Sequence, residues 1–137
     1  MEAGVEAVGC TFDAGDLVYT HADTGVVTAY ATDGVFIAGL AETDASGVTG
    51  AAINIIVIEQ GDELLLQTVA TDGTTLSDAS AFILGETYSS YVVSNAVYAV
   101  FNDTTAEVFI FRGYVPTQDD STSYIGRFSV VPAVLQF

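Results

Sequence analysis

Short apolar runs separated by paired aspartate and glycine residues are the feature of this sequence that most constrains its fold. Asp33-Gly34, Gly61-Asp62 and Asp72-Gly73 each separate stretches rich in valine, isoleucine, leucine and tyrosine. Aspartate and glycine supply the positive φ angles that tight hairpin turns require. The apolar stretches have the length of strands, so the pattern predicts a series of short strands joined by close turns.

The predicted strands cover most of the chain. They are residues 17–20, 26–32, 35–41, 52–59, 63–70, 88–94, 96–102, 106–115 and 123–137. Pro132 interrupts the last of them and indicates an edge strand or a strand with a break. The tetrapeptide Ala-Thr-Asp-Gly occurs at 31–34 and at 70–73, but its surroundings differ, so we interpret it as recurring turn chemistry and not as a domain repeat.

The remaining segments complete the predicted fold. A short helix is expected near 77–84, with Ser77 as its cap and Gly85 after its end. Residues 1–12 are small and weakly patterned and are expected to form an extended N-terminal arm, and 13–137 to form a single β-rich domain. The predicted fold is therefore all-β, a compact antiparallel β-barrel or sandwich of about eight or nine short strands.

The charge of the chain limits its partners. It carries 18 acidic residues against two basic ones, for a net charge of −16. Nucleic acid is not an expected partner because phosphate binding requires a basic surface, and an anionic membrane surface would repel the chain. The hydrophobic fraction of 50% excludes disorder. Because no apolar run reaches the length of a membrane span, part of this apolar surface is expected to be buried against partner subunits.

The stretch "HADTGVV" at 21–27 contains the one histidine and an Asp-Thr-Gly tripeptide like that of aspartic proteases. Such a protease needs two facing loops whose carboxylates share a proton, so one copy would require a homodimer built on Asp23. A turn explains the same residues, because Asp23 can accept hydrogen bonds from turn amides and Gly25 can adopt the left-handed angle. The turn is the preferred interpretation, and the protease is a remote alternative.

Other chemical sites are weakly indicated. Cys10 is the only cysteine, which excludes an intramolecular disulfide and a cysteine zinc site, and we interpret it as a small apolar residue and not as a nucleophile. A single histidine, His21, does not make a metal site. Residues 44–47 and 118–122 offer oxygen atoms for weak calcium binding, although neither matches the EF-hand loop. We predict no catalytic residues, no metal and no cofactor.

Arg112 and Arg127 are the only fixed positive charges, and both lie among aromatic residues, in "FIFRGY" and "YIGRF". One interpretation is that each forms a local ion pair with an aspartate or glutamate. The other is that they are interface residues, since arginine is enriched at binding hot spots. The local pair is the preferred interpretation, and both residues stay candidates for an interface.

Several segments resemble the small capsid decoration, or cement, proteins of tailed phages and related viruses. They are the Phe-x-x-Gly-Asp-Leu-Val opening at 12–18, the Gly-Val-Val hairpin at 25–27, "IAGLA" followed by "DASG" at 37–47, "ELLLQT" at 63–68, "LGETY" at 84–88 and "RFSVVPAVLQF" at 127–137. The resemblance implies a β-rich protein without catalytic residues that binds the outside of an expanded capsid. It also implies trimers or other clusters at junctions between major capsid proteins, with arms that reach neighbouring subunits.

The expected function is therefore that of a virion protein, made in the host cytoplasm, that binds the major capsid protein at the capsid surface and stabilises the capsid. The N-terminus lacks the basic start and apolar core of a secretory signal, so export is not expected. The alternative is another β-rich virion or recognition module, either a tail or fibre component or a carbohydrate binder that uses its tyrosines as platforms.

Overall fold

The computed structural model describes residues 2–21, 25–32, 34, 36–69, 82–101, 106–114 and 125–136. This part of the chain contains ten strands. They are β1 (Glu2–Glu6), β2 (Leu17–Thr20), β3 (Val26–Ala29), β4 (Gly39–Ala41), β5 (Ala52–Val57), β6 (Glu63–Val69), β7 (Thr87–Val93), β8 (Ala96–Val100), β9 (Glu107–Tyr114) and β10 (Ile125–Val130). The predicted all-β class is confirmed, although the strands form two barrels and number ten.

The first barrel consists of β1 to β5, in the closed order β1-β3-β2-β4-β5. β1 and β3 run parallel, and the other neighbouring strands are antiparallel. In β5 the side chains of Ile53 and Ile55 are buried, and those of Ala52 and Asn54 between and beside them are exposed. This alternation is typical of a strand with one face on a core. Phe12 and smaller apolar side chains, such as that of Val18, fill the barrel interior.

The second barrel consists of β6 to β10 and has an aromatic interior. Its closed order is β10-β6-β8-β7-β9, and its only parallel pair among the described strands is β6 with β8. The ring of Phe82 lies against four other rings, with centroid distances of 4.4 to 5.8 Å. These belong to Tyr88, Phe101, Phe111 and Phe128. Large rings therefore fill a barrel of only five strands.

The two barrels have the same topology. Counted from the first strand of each, the ring runs first, third, second, fourth, fifth, and the first and third strands form the parallel pair. The two Ala-Thr-Asp-Gly copies do not mark this repeat, because 31–34 follows the third strand of one barrel and 70–73 follows the first strand of the other. The tetrapeptide is thus no domain repeat, as predicted, but the chain does repeat its strand topology, which its sequence does not reveal.

A common apolar core joins the barrels. One hydrophobic cluster contains residues from both halves of the chain. It combines the core side chains of the second barrel with Leu17, Ile37 and Ile58 from the N-terminal half. Tyr30, which is 1% exposed, also belongs to this cluster. Its hydroxyl donates to the carbonyl oxygen of Gly34 at 2.8 Å and lies 2.7 Å from Ser90 Oγ. The Tyr30 hydroxyl has a single proton, so Ser90 is the donor to it.

The C-terminal segment, residues 131–136, returns from the second barrel to the first. It leaves β10 through a 3-10 turn at Pro132–Val134, so Pro132 marks a break, as predicted. The Ile37 amide donates to the Val134 carbonyl, and the Gln136 amide donates to the Ile37 carbonyl, each at 3.0 Å. The Gln136 side chain also bonds both the amide and the carbonyl of Thr20 at 2.8 Å.

Two predicted elements differ from the structure. Residues 2–6 are not part of an extended arm, because they form β1 between β3 and β5. Gly4 permits this close packing, since a Cβ at this position would lie 2.5 Å from Val27 Cγ2. The predicted helix at 77–84 falls mostly outside the described residues, and its described part, 82–84, is a bend followed by a turn. Within the described ranges, no helix is long and apolar enough to cross a bilayer.

Candidate functional site

The "HADTGVV" stretch joins two strands, as the turn interpretation predicts. β2 and β3 pair antiparallel, and the His21 amide donates to the Val26 carbonyl at 2.8 Å. The Gly25 amide donates to the His21 carbonyl at 2.8 Å, and the φ of Gly25 is +71°. His21 itself is exposed. Asp23 lies outside the described residues, so a role for its carboxylate in a homodimeric protease stays an untested alternative.

Glu6 forms a buried carboxylate site at the end of β1. Its side chain is 1% exposed and accepts hydrogen bonds from the Ser46 hydroxyl at 2.7 Å and from the amides of Ser46 and Gly47 at 3.1 Å. The Cys10 thiol donates to the same carboxylate, with its sulfur 3.4 Å from Oε1. The Glu6 carbonyl also accepts from the Gly50 amide. Glu6 therefore holds the loop between β4 and β5 against the barrel.

The electrostatics of this cluster indicate a structural role. The hydrogen bond from the Ser46 hydroxyl, helped by those from both amides and the thiol, outweighs burial and lowers the pKa of Glu6 below its ordinary value. Burial, followed by the hydrogen bond to Glu6 and its negative charge, raises the pKa of the Cys10 thiol. The nucleophilic form of cysteine is the thiolate. Cys10 is consequently protonated near neutral pH and serves as a donor to Glu6.

Two segments, 44–47 and 118–122, are the sequence candidates for weak calcium binding. In the first, Asp44 and Ser46 already form hydrogen bonds within the protein, and the second is not among the described residues. Asp44 Oδ1 accepts from the Ala14 amide at 2.9 Å, and the Ser46 hydroxyl donates to Glu6. In the described part, no three histidine, cysteine, aspartate or glutamate side chains are grouped so that they could hold a metal ion.

The two arginines have different surroundings. Arg127 forms an ion pair with Glu63 at 2.9 Å and donates to the Arg112 carbonyl at 3.1 Å. Arg112 is exposed and directs its Nε to the buried hydroxyl of Ser129 at 2.8 Å. Among the described residues, no carboxylate lies within 4.0 Å of Arg112. A local ion pair thus accounts for Arg127, whereas the terminal nitrogens of Arg112 are available to a partner.

A groove lies between the two barrels, and the sequence analysis did not single it out. Its volume is about 320 Å³. One wall is formed by residues 64–66 of β6 and the opposite wall by residues 95–97 at the start of β8. Residues 15–17 and Leu40 of the first barrel close it on a third side. Of the described residues that line the groove, Asp16 is the only ionisable one.

The groove coincides with a gap in the second barrel's wall. β6 and β8 pair through Gln67, Thr68 and Val69 of β6. Within the described part of the chain, residues 63–66 therefore have a strand partner on one side only, β10. The sequence carries one signal of this gap, the three consecutive leucines 64–66. Side chains alternate between the faces of a strand, so such a run leaves at least one leucine outside the core. Leu65 is that residue, at 63% exposure.

The outer face of the second barrel continues from this groove. Tyr91 pairs with Tyr98 across β7 and β8, and Tyr98 aligns with Gln67 of β6. Tyr98 stands between Val97 and Ala99, which both pack into the core, so its ring points outward. Both tyrosines are half-buried. An aromatic pair therefore lies on the surface beside the groove.

Comparison with known proteins does not assign this chain to a family, because no protein-family model matches it and no curated protein sequence matches it. The described residues offer three features that can bind a partner. They are the groove, the exposed apolar side chains of both barrels and the guanidinium of Arg112.

Proposed function

We propose that the protein is a structural virion protein that binds the outer surface of an assembled capsid and stabilises it, as capsid decoration proteins do. Its partners in this proposal are the major capsid protein and further copies of the same chain. It acts without catalysis, by adding contacts between capsid subunits. The resemblance of the sequence to decoration proteins motivates the proposal, and the surface of the two barrels supports it.

The observation that carries the proposal is the exposure of large apolar side chains on both barrels. Val48 and Ile56 are exposed on the first barrel's side, and Leu65 and Ile83 on the second. Covering apolar surface contributes about 25 cal/mol per Å², so each of these side chains favours a contact that removes it from water. Apolar side chains at several places suit a subunit that contacts more than one neighbour in an assembly.

The closed barrels also support a structural role. Each ring of five strands returns to its first strand, so no described strand has an open edge along its whole length, and unpaired stretches such as residues 63–66 of β6 are short. Open edges are the places where crowded β-proteins pair with one another and aggregate. A protein that covers a capsid at high local density benefits from such closure, and its negative charge of −16 further opposes non-specific association.

The proposal is tested by mixing the purified protein with expanded and with unexpanded capsids that were assembled without it. The capsids are made from the major capsid protein encoded in the same genome. We expect saturable binding to expanded capsids, measured by co-sedimentation and cryo-electron microscopy, and a higher temperature of capsid disruption. Unexpanded capsids are the matched control. A failure to bind either form, together with absence of the protein from purified virions, would overturn the proposal.

The surface tyrosine pair favours a second candidate function, carbohydrate recognition within a tail or fibre component. Tyr91 and Tyr98 face outward side by side, with the Gln67 amide on the next strand. Aromatic rings offer an apolar surface to sugar rings, and an amide can orient hydroxyl groups. Binding to a glycan array that is lost in Tyr98→Ala, without any binding to capsids, would favour this function over decoration.

A further inference from the structure

We propose that the groove between the barrels binds an extended, basic segment of a different protein, held through its main chain and its alternating apolar side chains. The proposal names the docking surface that capsid decoration would use. It rests on the proposed function only for the identity of the partner. The properties of the groove argue for the chemistry of its occupant by themselves.

The backbone of the lining residues, and not only their side chains, borders the groove. Three consecutive residues, 64–66, line one wall, and three more, 95–97, line the other. Successive side chains of a strand point to opposite faces, so three neighbours can border one cavity only if their backbone also borders it. Among the described strands, residues 63–66 have no partner on the β8 side. An extended segment is the backbone conformation that can pair with such an edge.

The side chains of the groove select apolar partners. Leu17, Leu40 and Leu66 border it from both barrels, and Leu66 is buried. The volume of about 320 Å³ lies at the small end of the range for binding pockets, which is about 300 to 1,000 Å³. A groove of this size takes a few side chains of a strand and not a folded domain.

Hydrogen bonds within the protein help to position two of the residues that line the groove, Asn95 and Asp16. Asn95 lies in the turn between β7 and β8 with a φ of +67°, and its side-chain amide donates to the Thr11 carbonyl of the first barrel at 3.1 Å. The Asp16 carboxylate accepts from the Asp13 amide at 2.8 Å. A preformed groove loses little conformational entropy on binding.

Charge complementarity distinguishes a foreign segment from a second copy of this chain. Asp16 is the only ionisable residue among the described lining of the groove and adds a negative charge there, and the whole chain carries −16. A second copy brings the same charge and contains no lysine. A segment with lysine or arginine side chains is attracted to the groove, and its binding weakens with added salt because salt screens exposed charges.

The test uses an acetylated and amidated octapeptide of alternating valine and lysine, titrated into the ¹⁵N-labelled full chain. We expect saturable shift changes of the amides of residues 64–66 and 95–97, with an affinity at least about tenfold higher than that of a valine–glutamate octapeptide. A valine–lysine peptide with a central proline should bind about tenfold more weakly or worse, because proline cannot donate to a strand. Equal binding of the three peptides, shifts located elsewhere, or no shifts at about 1 mM peptide would overturn the proposal.

A matched pair of variants tests the site by substitution. Leu65→Lys places a positive charge at the groove, whereas Ile83→Lys makes the same change at a residue of nearly equal exposure, 64% against 63%, that does not line the groove. We expect Leu65→Lys to weaken valine–lysine binding at least about tenfold, because it removes apolar surface and repels the lysines of the peptide, and Ile83→Lys to leave the binding nearly unchanged. Circular dichroism melting checks that both variants fold, and equal weakening by both would contradict the proposal.

The same variants separate this inference from the proposed function. If Leu65→Lys binds expanded capsids as well as the wild type does, decoration stands and the groove is not its docking surface. If the valine–lysine peptide binds in the groove but the wild-type protein does not bind capsids, the groove stands and decoration fails. The peptide titration does not depend on any capsid, so each conclusion can be reached without the other.

Discussion

Glu6 is a buried carboxylate whose four hydrogen bonds come from only three residues, Cys10, Ser46 and Gly47. Two of the donors are main-chain amides of the loop between β4 and β5, so the charge is stabilised by the same contacts that place the loop. A buried charge is tolerated when hydrogen bonds replace the water it loses. Glu6 thus links the electrostatics of the first barrel to its loop structure.

Glu6→Gln should reduce the stability of the protein most strongly above the ordinary pKa of a glutamate. The folded protein lowers the pKa of Glu6 below 4.5, so the ionised form stabilises the fold above this value. That stabilisation is lost as the pH falls through the lowered pKa. The difference in melting temperature between wild type and Glu6→Gln should therefore be largest near neutral pH and decrease below pH 4.5.

Glu2→Gln is the matched control, because Glu2 lies on the same strand and is exposed. Both variants remove one negative charge, so their difference isolates the hydrogen-bonded site from the general repulsion in this acidic chain. A melting temperature of Glu6→Gln equal to that of Glu2→Gln at every pH would contradict the assignment.

At the scale of the element, β1 depends on the absence of a side chain at Gly4. Gly4→Ala places a Cβ against the Val27 side chain, at 2.5 Å without rearrangement. We expect a loss of about 1 to 3 kcal/mol in the free energy of unfolding, the usual effect of overpacking. Ala3→Val, which enlarges the exposed neighbour on the same strand, should change the stability by about 0.5 kcal/mol or less.

Urea denaturation of both variants measures these values. The double variant Gly4→Ala/Val27→Ala provides a further check, because removing the Val27 methyl groups should recover part of the loss. A Gly4→Ala protein as stable as wild type would show that β1 is not packed as described.

The strands that could be predicted are those whose own residues have a strong preference for extended structure. Residues 17–20 and 63–69 have bulky apolar or β-branched side chains bounded by turn residues, and they form β2 and β6. β1 could not be predicted, because Ala3 and Gly4 have no strand preference of their own and pair only through contacts with β3 and β5. Tertiary context therefore determines this strand.

The candidate site could be predicted only in part, for a similar reason. Whether Arg112 is free for an interface depends on which carboxylates lie near it in the folded protein. The sequence shows which acidic residues exist but not where they lie. The groove depends on two parallel strands that diverge, β6 and β8, and on a contact between the two barrels. Such long-range features leave no local pattern, apart from the leucine run of β6.

At the scale of the whole molecule, the two barrels share an apolar core that includes Tyr30. Tyr30→Phe removes the hydroxyl that bonds both Gly34 and Ser90 and leaves their polar atoms without that partner. We expect a loss of about 1 to 3 kcal/mol. In a double-mutant cycle with Ser90→Ala, the two losses should be less than additive, because the second change removes a partner already lost.

Chemical denaturation followed separately by circular dichroism and by amide signals from each barrel measures the cycle and the cooperativity together. We expect all probes to report one transition with the same midpoint. Separate midpoints for the two barrels would show that the common core does not couple them, and additive losses would show that Tyr30 and Ser90 act independently.

The C-terminal segment gives a second prediction at this scale. Gln136→Ala removes two hydrogen bonds to the Thr20 backbone and leaves a partly buried amide and carbonyl without this partner. We expect a loss of about 1 to 3 kcal/mol. Gln60→Ala, at an exposed residue just after β5, is the matched control and should change the stability by about 0.5 kcal/mol or less. Equal effects in urea denaturation would contradict the role of Gln136.

The same segment determines when the protein can fold during synthesis. Ile37 pairs with Leu135, and Thr20 bonds Gln136, so the first barrel takes its last contacts from residues made about a hundred positions later. On the ribosome, a nascent chain that already contains all of β1 to β5 still lacks these partners. We therefore expect the first barrel to reach its full stability only after residues 134–136 have been made, and a chain that stalls before them to be more open to chaperones and proteases.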